Sequence, residues 1–270
     1  PRSTLFPYTT LFRSYKSAIE FIGRRNSNGD IFSAPGISVK LSALHPRYEF
    51  SQRKRVIKEL TERLSVLAGL AKDKQIALTI DAEEADRLLL SLDIFSGVLK
   101  EPVLAAWDGL GIVVQAYHKM AGAVISMLAS LAEETGHRIP VRLVKGAYWD
   151  TEIKHAQVEG FPGYPVFTRK ANTDVSYIAC AKRLFDNRQA FYPQFATHNA
   201  HTIAIVAELA GERLDFEFQR LHGMGENLYA EALKVNKGHA CRVYAPVGSH
   251  EDLLPYLVRR LLENGANTSF

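Results

Sequence analysis

The chain has 270 residues, 47% of them hydrophobic and 23% charged, with a formal net charge of +4 at pH 7. That balance excludes a disordered or fibrous protein, and the length suits one large α/β domain. So small a charge gives no argument for nucleic acid or an anionic membrane surface, and two cysteines without a CxxC pair, Cys180 and Cys241, form no disulfide framework, as in a reducing cytosol.

The first feature along the chain is Thr4–Ser14, TLFPYTTLFRS, which resembles the conceptual translation of a common sequencing-library adapter. Residues 1–14 are therefore set apart as an expected artefact, and excluding Arg2 and Arg13 lowers the net charge of +4 by two. The opening segment lacks the charged, apolar, small-residue order of a signal peptide.

From Ile37 onward one pattern recurs: a short β-branched run, a turn rich in Gly, Asn or His, then an amphipathic helix. The expected strands are Ile37–Leu41, Ile76–Asp81, Gly111–Tyr117, Val141–Ala147, Tyr192–Asn199, Phe216–Leu221 and Cys241–Val247. Between the first two, Arg55–Leu70 sets Val56, Leu60, Leu64 and Leu67 on one stripe. The apolar stretch near Ala121–Ala132 has helical spacing and falls short of the roughly 18 residues of a membrane span. Asn172–Leu184 opens on Asn-Thr-Asp, a capping cluster, and His250–Leu262 closes the series. Strands alternating with helices predict a parallel sheet with crossover helices, and no linker divides the chain after Tyr15. Polar residues at the C-terminal end of nearly every strand favour a distorted (β/α)8 barrel over an open sheet. Seven strands are visible, so the barrel is expected to lack its first, which would precede Tyr15.

Several segments could carry chemistry. In Arg142-Leu-Val-Lys145-Gly146-Ala147-Tyr148-Trp149, alternation sends Arg142 and Val144 to one side and Leu143 and Lys145 to the other. A buried guanidinium needs an acceptor, Gly146 allows close backbone approach, and Tyr148 and Trp149 offer flat faces. An Arg–Asp ion pair with Tyr and Trp as core filler accounts for the same residues. Lys40 and Asp81 stand at the ends of consecutive strands, close enough for an ion pair if those strands adjoin. Thr197-His198-Asn199-Ala200-His201 places donors at a strand-to-helix turn; with Asp81, Glu83, Glu84 and His222 its histidines are at most scattered metal ligands, and no metal site is expected. Gly223-Met-Gly225 carries Leu228 where a dinucleotide loop needs its third glycine. In the last helix Tyr256 and Arg260, and Arg259 and Glu263, are i,i+4 neighbours; the arginine doublet suits a small carboxylate, or a solvated face.

Together the runs GISVKLSALHPRYEF, IDAEEADR, VRLVKGAYWD, GYPVFTRKANTDVSY, PQFATHNAHT, FEFQRLHGMGE, RVYAPVGSHE and YLVRRLLENGANTSF resemble the proline dehydrogenase domain of bacterial proline utilisation A flavoproteins, from Tyr15 to Phe270. The resemblance implies a distorted (β/α)8 barrel that holds FAD and oxidises L-proline to Δ1-pyrroline-5-carboxylate. It implies that Arg142 contacts flavin N5, and that Gln115, Val144, Lys145, Gly146, Ala147 and Trp149 surround the isoalloxazine and pyrophosphate. Thr168, Lys170, Thr197, His198, Asn199 and Gln219 match the other FAD contacts. Arg259 and Arg260 match the substrate carboxylate clamp, Lys40, Asp81, Tyr148, Leu221, Tyr244 and Tyr256 other residues of the pocket wall, and Glu263 a glutamate on the same helix as the clamp. It further implies a cytoplasmic protein with peripheral inner-membrane contact, electrons passing to a quinone, and a parent with an aldehyde dehydrogenase domain and in some members a DNA-binding domain; no nucleic acid is expected for residues 15–270. The rival readings are a metal-dependent or Schiff-base lyase barrel using Lys40 or Lys145, and a non-catalytic fragment that does not retain FAD.

Overall fold

The structure, a computed structural model, describes residues 7–26, 29–247, 253–254, 257–258, 260–262 and 265. In chain order the elements are α1 (Pro7–Gly23), β1 (Gly36–Val39), α2 (Arg53–Asp73), β2 (Ala77–Ile80), α3 (Leu88–Leu99), β3 (Leu110–Gln115), α4 (Ala121–Thr135) and β4 (Ile139–Val144). They continue with α5 (Trp149–Val158), α6 (Lys170–Asp186), β5 (Phe191–Ala196), α7 (Ala200–Ala210), β6 (Glu217–Leu221), α8 (Glu226–Val235) and β7 (Ala240–Tyr244). The strands follow one another in a seven-stranded sheet in the order β1 to β7. The β1–β2, β2–β3, β5–β6 and β6–β7 pairs are parallel. A parallel sheet in strict chain order with helices between strands is the topology of a (β/α)8 barrel, here with seven strands among the described residues. Residues 7–14 are helical.

All seven expected strands form, but most stop short of their expected C-terminal ends. Several of the tails are polar or glycine-bearing, such as Lys145-Gly146-Ala147 and Thr197-His198-Asn199, while Asp81 and Ala116 still donate to the neighbouring strand's Val39 and Val144 carbonyls just past the strand ends. Asn172-Thr173-Asp174 does not cap α6 as expected: the helix starts at Lys170, and Asn172 and Thr173 donate their N–H groups to the Arg169 carbonyl in its first turn. Asp174 is thereby free of capping duty and takes two lysines instead.

The chain divides into two compact units. In the first (up to Val113, with 127–141 and 189–191), the predicted stripe Val56, Leu60, Leu64 and Leu67 of α2 is fully buried, and α2 packs on α1, α3 and β2. Each such side chain contributes about 1.5–3 kcal/mol by leaving water. The Arg53–Asp93 ion pair, at 2.7 Å, joins α2 to α3.

In the second unit (114–126, 142–188 and from 192 on), strand alternation sorts the two sheet faces by chemistry. One face of β5 and β6 buries Phe195, Phe216 and Phe218 with Phe185 of α6, ring centroids 5.1–5.7 Å apart. The opposite face is polar. The register sets Gln194 beside Glu217, Gln219 beside Arg242 and Leu221 beside Tyr244. A sheet face this polar and this buried is the one on which a site is to be sought.

Candidate active site

Arg142 of β4, only 7% exposed, enters that polar face. Its Nε donates to Gln219 Oε1 at 2.7 Å and its Nη1 to the Tyr244 hydroxyl at 3.1 Å, with the guanidinium 4.4 Å from the Tyr244 ring centroid. Beneath it Gln219 Nε2 donates to Glu217 Oε1 at 2.6 Å, and Arg242 grips both Glu217 oxygens through Nε and Nη2 at 2.8–3.0 Å. The buried Glu217 charge is thus matched by Arg242, while the Arg142 guanidinium donates to two neutral oxygens, those of Gln219 and Tyr244.

After Val144 the chain turns away. Lys145, 5% exposed, donates to Asp174 Oδ1 at 2.5 Å, while Lys170 takes Asp174 Oδ2 at 2.7 Å. Burial pulls the Lys145 amine below the ordinary lysine range, and Asp174 pushes back. Gly146 has φ +141°, and a Cβ there would overlap the Tyr117 ring, so the turn requires glycine. The Ala147 N–H points to Gln115 Oε1 at 3.4 Å. Tyr148 is the N-cap residue of α5, and Trp149 follows it. The indole N–H of Trp149 is tied to the Phe167 carbonyl at 2.8 Å, and 42% of the residue is exposed, leaving a fixed ring to cover a ligand. Thr168 lies on the exposed bend before Lys170.

At the β5–α7 turn, Thr197 Oγ1 accepts from the Asn199 N–H, and Asn199 Oδ1 caps α7 through the Thr202 N–H at 2.9 Å. His198 Nε2 accepts the Leu221 N–H at 3.1 Å, which places the proton of the neutral ring on Nδ1. Gly225, at φ +66°, leaves room for that ring, since a Cβ there would come 2.9 Å from His198 Cδ2.

The expected residues Gln115, Arg142, Val144, Lys145, Gly146, Ala147, Tyr148, Trp149, Thr168, Lys170, Thr197, His198, Asn199, Gln219, Leu221 and Tyr244 all belong to the second unit, most of them at or just past strand ends. Lys40 and Asp81 belong to the first, where β1 and β2 adjoin as anticipated and the Asp81 N–H donates to the Val39 carbonyl at 2.9 Å. Arg260 is helical and half-buried. Tyr256, Arg259 and Glu263 lie outside the described residues. Sequence reasoning passed over Glu217 and Arg242 and read Asp174 only as part of a helix cap. A signal for the first was present: FEFQ alternates aromatic and polar residues, which marks Glu217 and Gln219 as one strand face.

Among the described residues no three His, Cys, Asp or Glu side chains gather to hold a metal ion, and no helix is long and apolar enough to cross a membrane.

A family profile described as proline dehydrogenase matches residues 7–270. The chain belongs to the proline dehydrogenase family. It is 57% identical over 264 residues to the Bifunctional protein PutA of Salmonella typhimurium, a match covering 95% of this chain and 20% of that protein. It is 31% identical over 213 residues to Proline dehydrogenase 2 of Bacillus subtilis, covering 77% of this chain and 61% of the relative. A crystal structure of a variant of Bradyrhizobium japonicum Proline Utilization A matches with a TM-score of 0.94 at 57% identity, covering 97% of this chain and 27% of that one. Proline utilization A from Bdellovibrio bacteriovorus, in a crystal structure of the protein inactivated by N-propargylglycine, matches at 0.88 and 32% identity over 96% of this chain and 28% of that one. The chain thus spans about a fifth of the Salmonella relative's length.

Proposed function

We propose that this chain is the FAD-dependent barrel that oxidises L-proline to Δ1-pyrroline-5-carboxylate, with residues 15–270 as the domain and residues 1–14 as adapter-derived. The observation that carries the reading is the buried Arg142 guanidinium, held by Gln219 and Tyr244 at the strand ends of a chain in the proline dehydrogenase family.

The residues fit a flavin. A flavin ring presents carbonyl and ring-nitrogen acceptors, and Arg142 is a fixed donor on the polar face. The ring also carries an N–H, and Gln194 Oε1, buried on the same face, has no hydrogen-bond partner among the described residues. Trp149 offers a flat face. Lys145, Lys170, Thr197, His198 and the amino end of α7 suit a diphosphate. Bound FAD would accept the hydride from the carbon beside proline nitrogen.

The chain's own residues do the rest. Arg142 favours negative charge as it develops on the cofactor, at a site whose low exposure weakens solvent screening. The resemblance to the proline utilisation A family assigns the substrate carboxylate to the Arg259–Arg260 doublet and the pocket wall to Lys40, Asp81, Tyr148, Leu221, Tyr244 and Tyr256, and it matches Glu263 to a family glutamate near the doublet in sequence. Electrons then pass to a quinone, with the protein cytoplasmic and in peripheral contact with the inner membrane.

The test is flavin absorbance of the purified protein together with proline-dependent dye reduction. Yellow protein that reduces dye only with proline is expected, and Arg260→Met should raise the proline requirement far more than it lowers FAD content. Colourless protein, or equal loss of both properties in Arg260→Met, contradicts the assignment.

One observation favours a second reading. Lys145 is buried with a lowered pKa, the condition of a Schiff-base lysine. Borohydride trapping of a carbonyl substrate on Lys145 would establish that chemistry.

A further inference from the structure

Glu217 and Arg242 lie behind the residues so far assigned a role. Glu217 is 2% exposed, inside β6, on the same face as Gln219 two residues on. Its register partner on β7 is Ala240, whose short side chain leaves space beside it. Arg242, the register partner of Gln219, reaches into that space and grips both Glu217 oxygens.

The consequence falls on Gln219. The two ends of a carboxamide are nearly equal in size and opposite in hydrogen-bonding sense, so an isolated glutamine is free to turn over. Here neither end is free. The ionised Glu217 carboxylate only accepts and selects Nε2, at 2.6 Å; the Arg142 guanidinium only donates and selects Oε1, at 2.7 Å. Arg242 in turn stabilises the charge that gives Glu217 its single sense. Arg142 is thereby oriented by a chain of hydrogen bonds in which turning over the Gln219 amide would face donor with donor at Arg142 and acceptor with acceptor at Glu217.

We infer that Glu217 and Arg242 are positioning residues, which fix the Gln219 amide and through it the pose of the Arg142 guanidinium toward the cofactor. This rests on the flavin reading above. An Arg142 that is well held stabilises the reduced cofactor through its charge, whereas one that swings does so less.

The test uses the flavin-loaded protein and reads the midpoint potential and visible spectrum alongside thermal stability. Glu217→Met keeps the side-chain length and removes the acceptor. It should shift the reduction equilibrium about tenfold against the reduced form, which is ~30 mV for a two-electron couple. Its stability also falls, because Arg242 loses the carboxylate that faces its charge. The double variant Glu217→Met with Arg242→Met removes both charges. It should recover most of the stability while keeping the shifted potential, a separation that a purely structural ion pair would not show. Glu217→Gln retains a carbonyl for Gln219 and should shift the potential less. A double variant with wild-type potential and spectrum overturns the relay. Wild-type protein that takes up no flavin overturns the cofactor reading and the relay with it, so the two failures are told apart.

Discussion

Lys145 Nζ lies 2.5 Å from Asp174 Oδ1, on a carboxylate whose other oxygen is 2.7 Å from Lys170 Nζ. One acid thus serves two amines. Burial acts to raise the Asp174 carboxyl, but the hydrogen bonds from Lys145 and Lys170 outweigh it and hold the group below the usual aspartate range.

Asp174→Asn should therefore destabilise the protein by roughly 1–3 kcal/mol, the scale of a charge-assisted hydrogen bond reduced by partial exposure. A carboxyl depressed in the fold lends stability above its unfolded pKa and loses it as pH falls through the folded value. Urea unfolding at pH 7 should show the gap, and it should close below about pH 4. A gap that persists undiminished in acid would show that charge is not its source.

A second expectation concerns acid sensitivity nearer neutrality. His45 Nδ1 accepts the Arg47 N–H, and His118 Nδ1 the Met120 N–H, each at 3.1 Å. Burial lowers both imidazole pKa values below 6.5, against an opposing pull from Glu59 in the case of His45. The unfolded chain then takes up these protons first, so stability is present above pH 6.5 and declines as pH falls from there toward the folded values. Tm measured from pH 8 to 5 should drop, and His118→Asn, whose carbonyl can still accept the Met120 N–H, should flatten part of that drop. An unchanged slope in the variant would refute the assignment to His118.

Gly146→Ala should be severely destabilising, by about 2 kcal/mol or more, because it combines a φ of +141° with overlap onto Tyr117. Gly163→Ala has open space around its Cβ and ordinary backbone, and serves as the comparison. Soluble yield and Tm of the two variants side by side decide the point; similar behaviour would mean the 145–147 turn yields easily.

Tyr229 couples α8 to the site. Its hydroxyl donates to the Thr197 carbonyl at 2.8 Å, deep in the second unit. Tyr229→Phe should cost about 1–2 kcal/mol by leaving that carbonyl without its donor. Amide hydrogen exchange across 197–202 should speed up with it. Loss of Tm without faster exchange there would place the effect elsewhere.

The parts of the fold that were legible are those with strong periodicity. The α2 stripe is buried as spacing predicts, because four apolar residues on one helix face have a single way to leave water. Strand ends and caps were less legible. Asn172-Thr173-Asp174 has capping composition, yet α6 begins earlier, since the Asp174 carboxylate gains more from two lysines than from a helix N–H. Local propensity gave way to a contact with Lys145, a residue 29 positions away.

By itself the sequence determined the alternation of strand and helix, the family, and the residue types at the strand ends, because period and motif are properties of neighbours along the chain. Only the tertiary structure decided which partner each polar side chain meets. Arg142 finds Gln219 and Tyr244, 77 and 102 residues away, through the order and register of the strands. Strand register moves every side chain of a strand together, so it cannot be read from any one segment, and it is register that sets Arg242 beside Gln219 and behind Glu217.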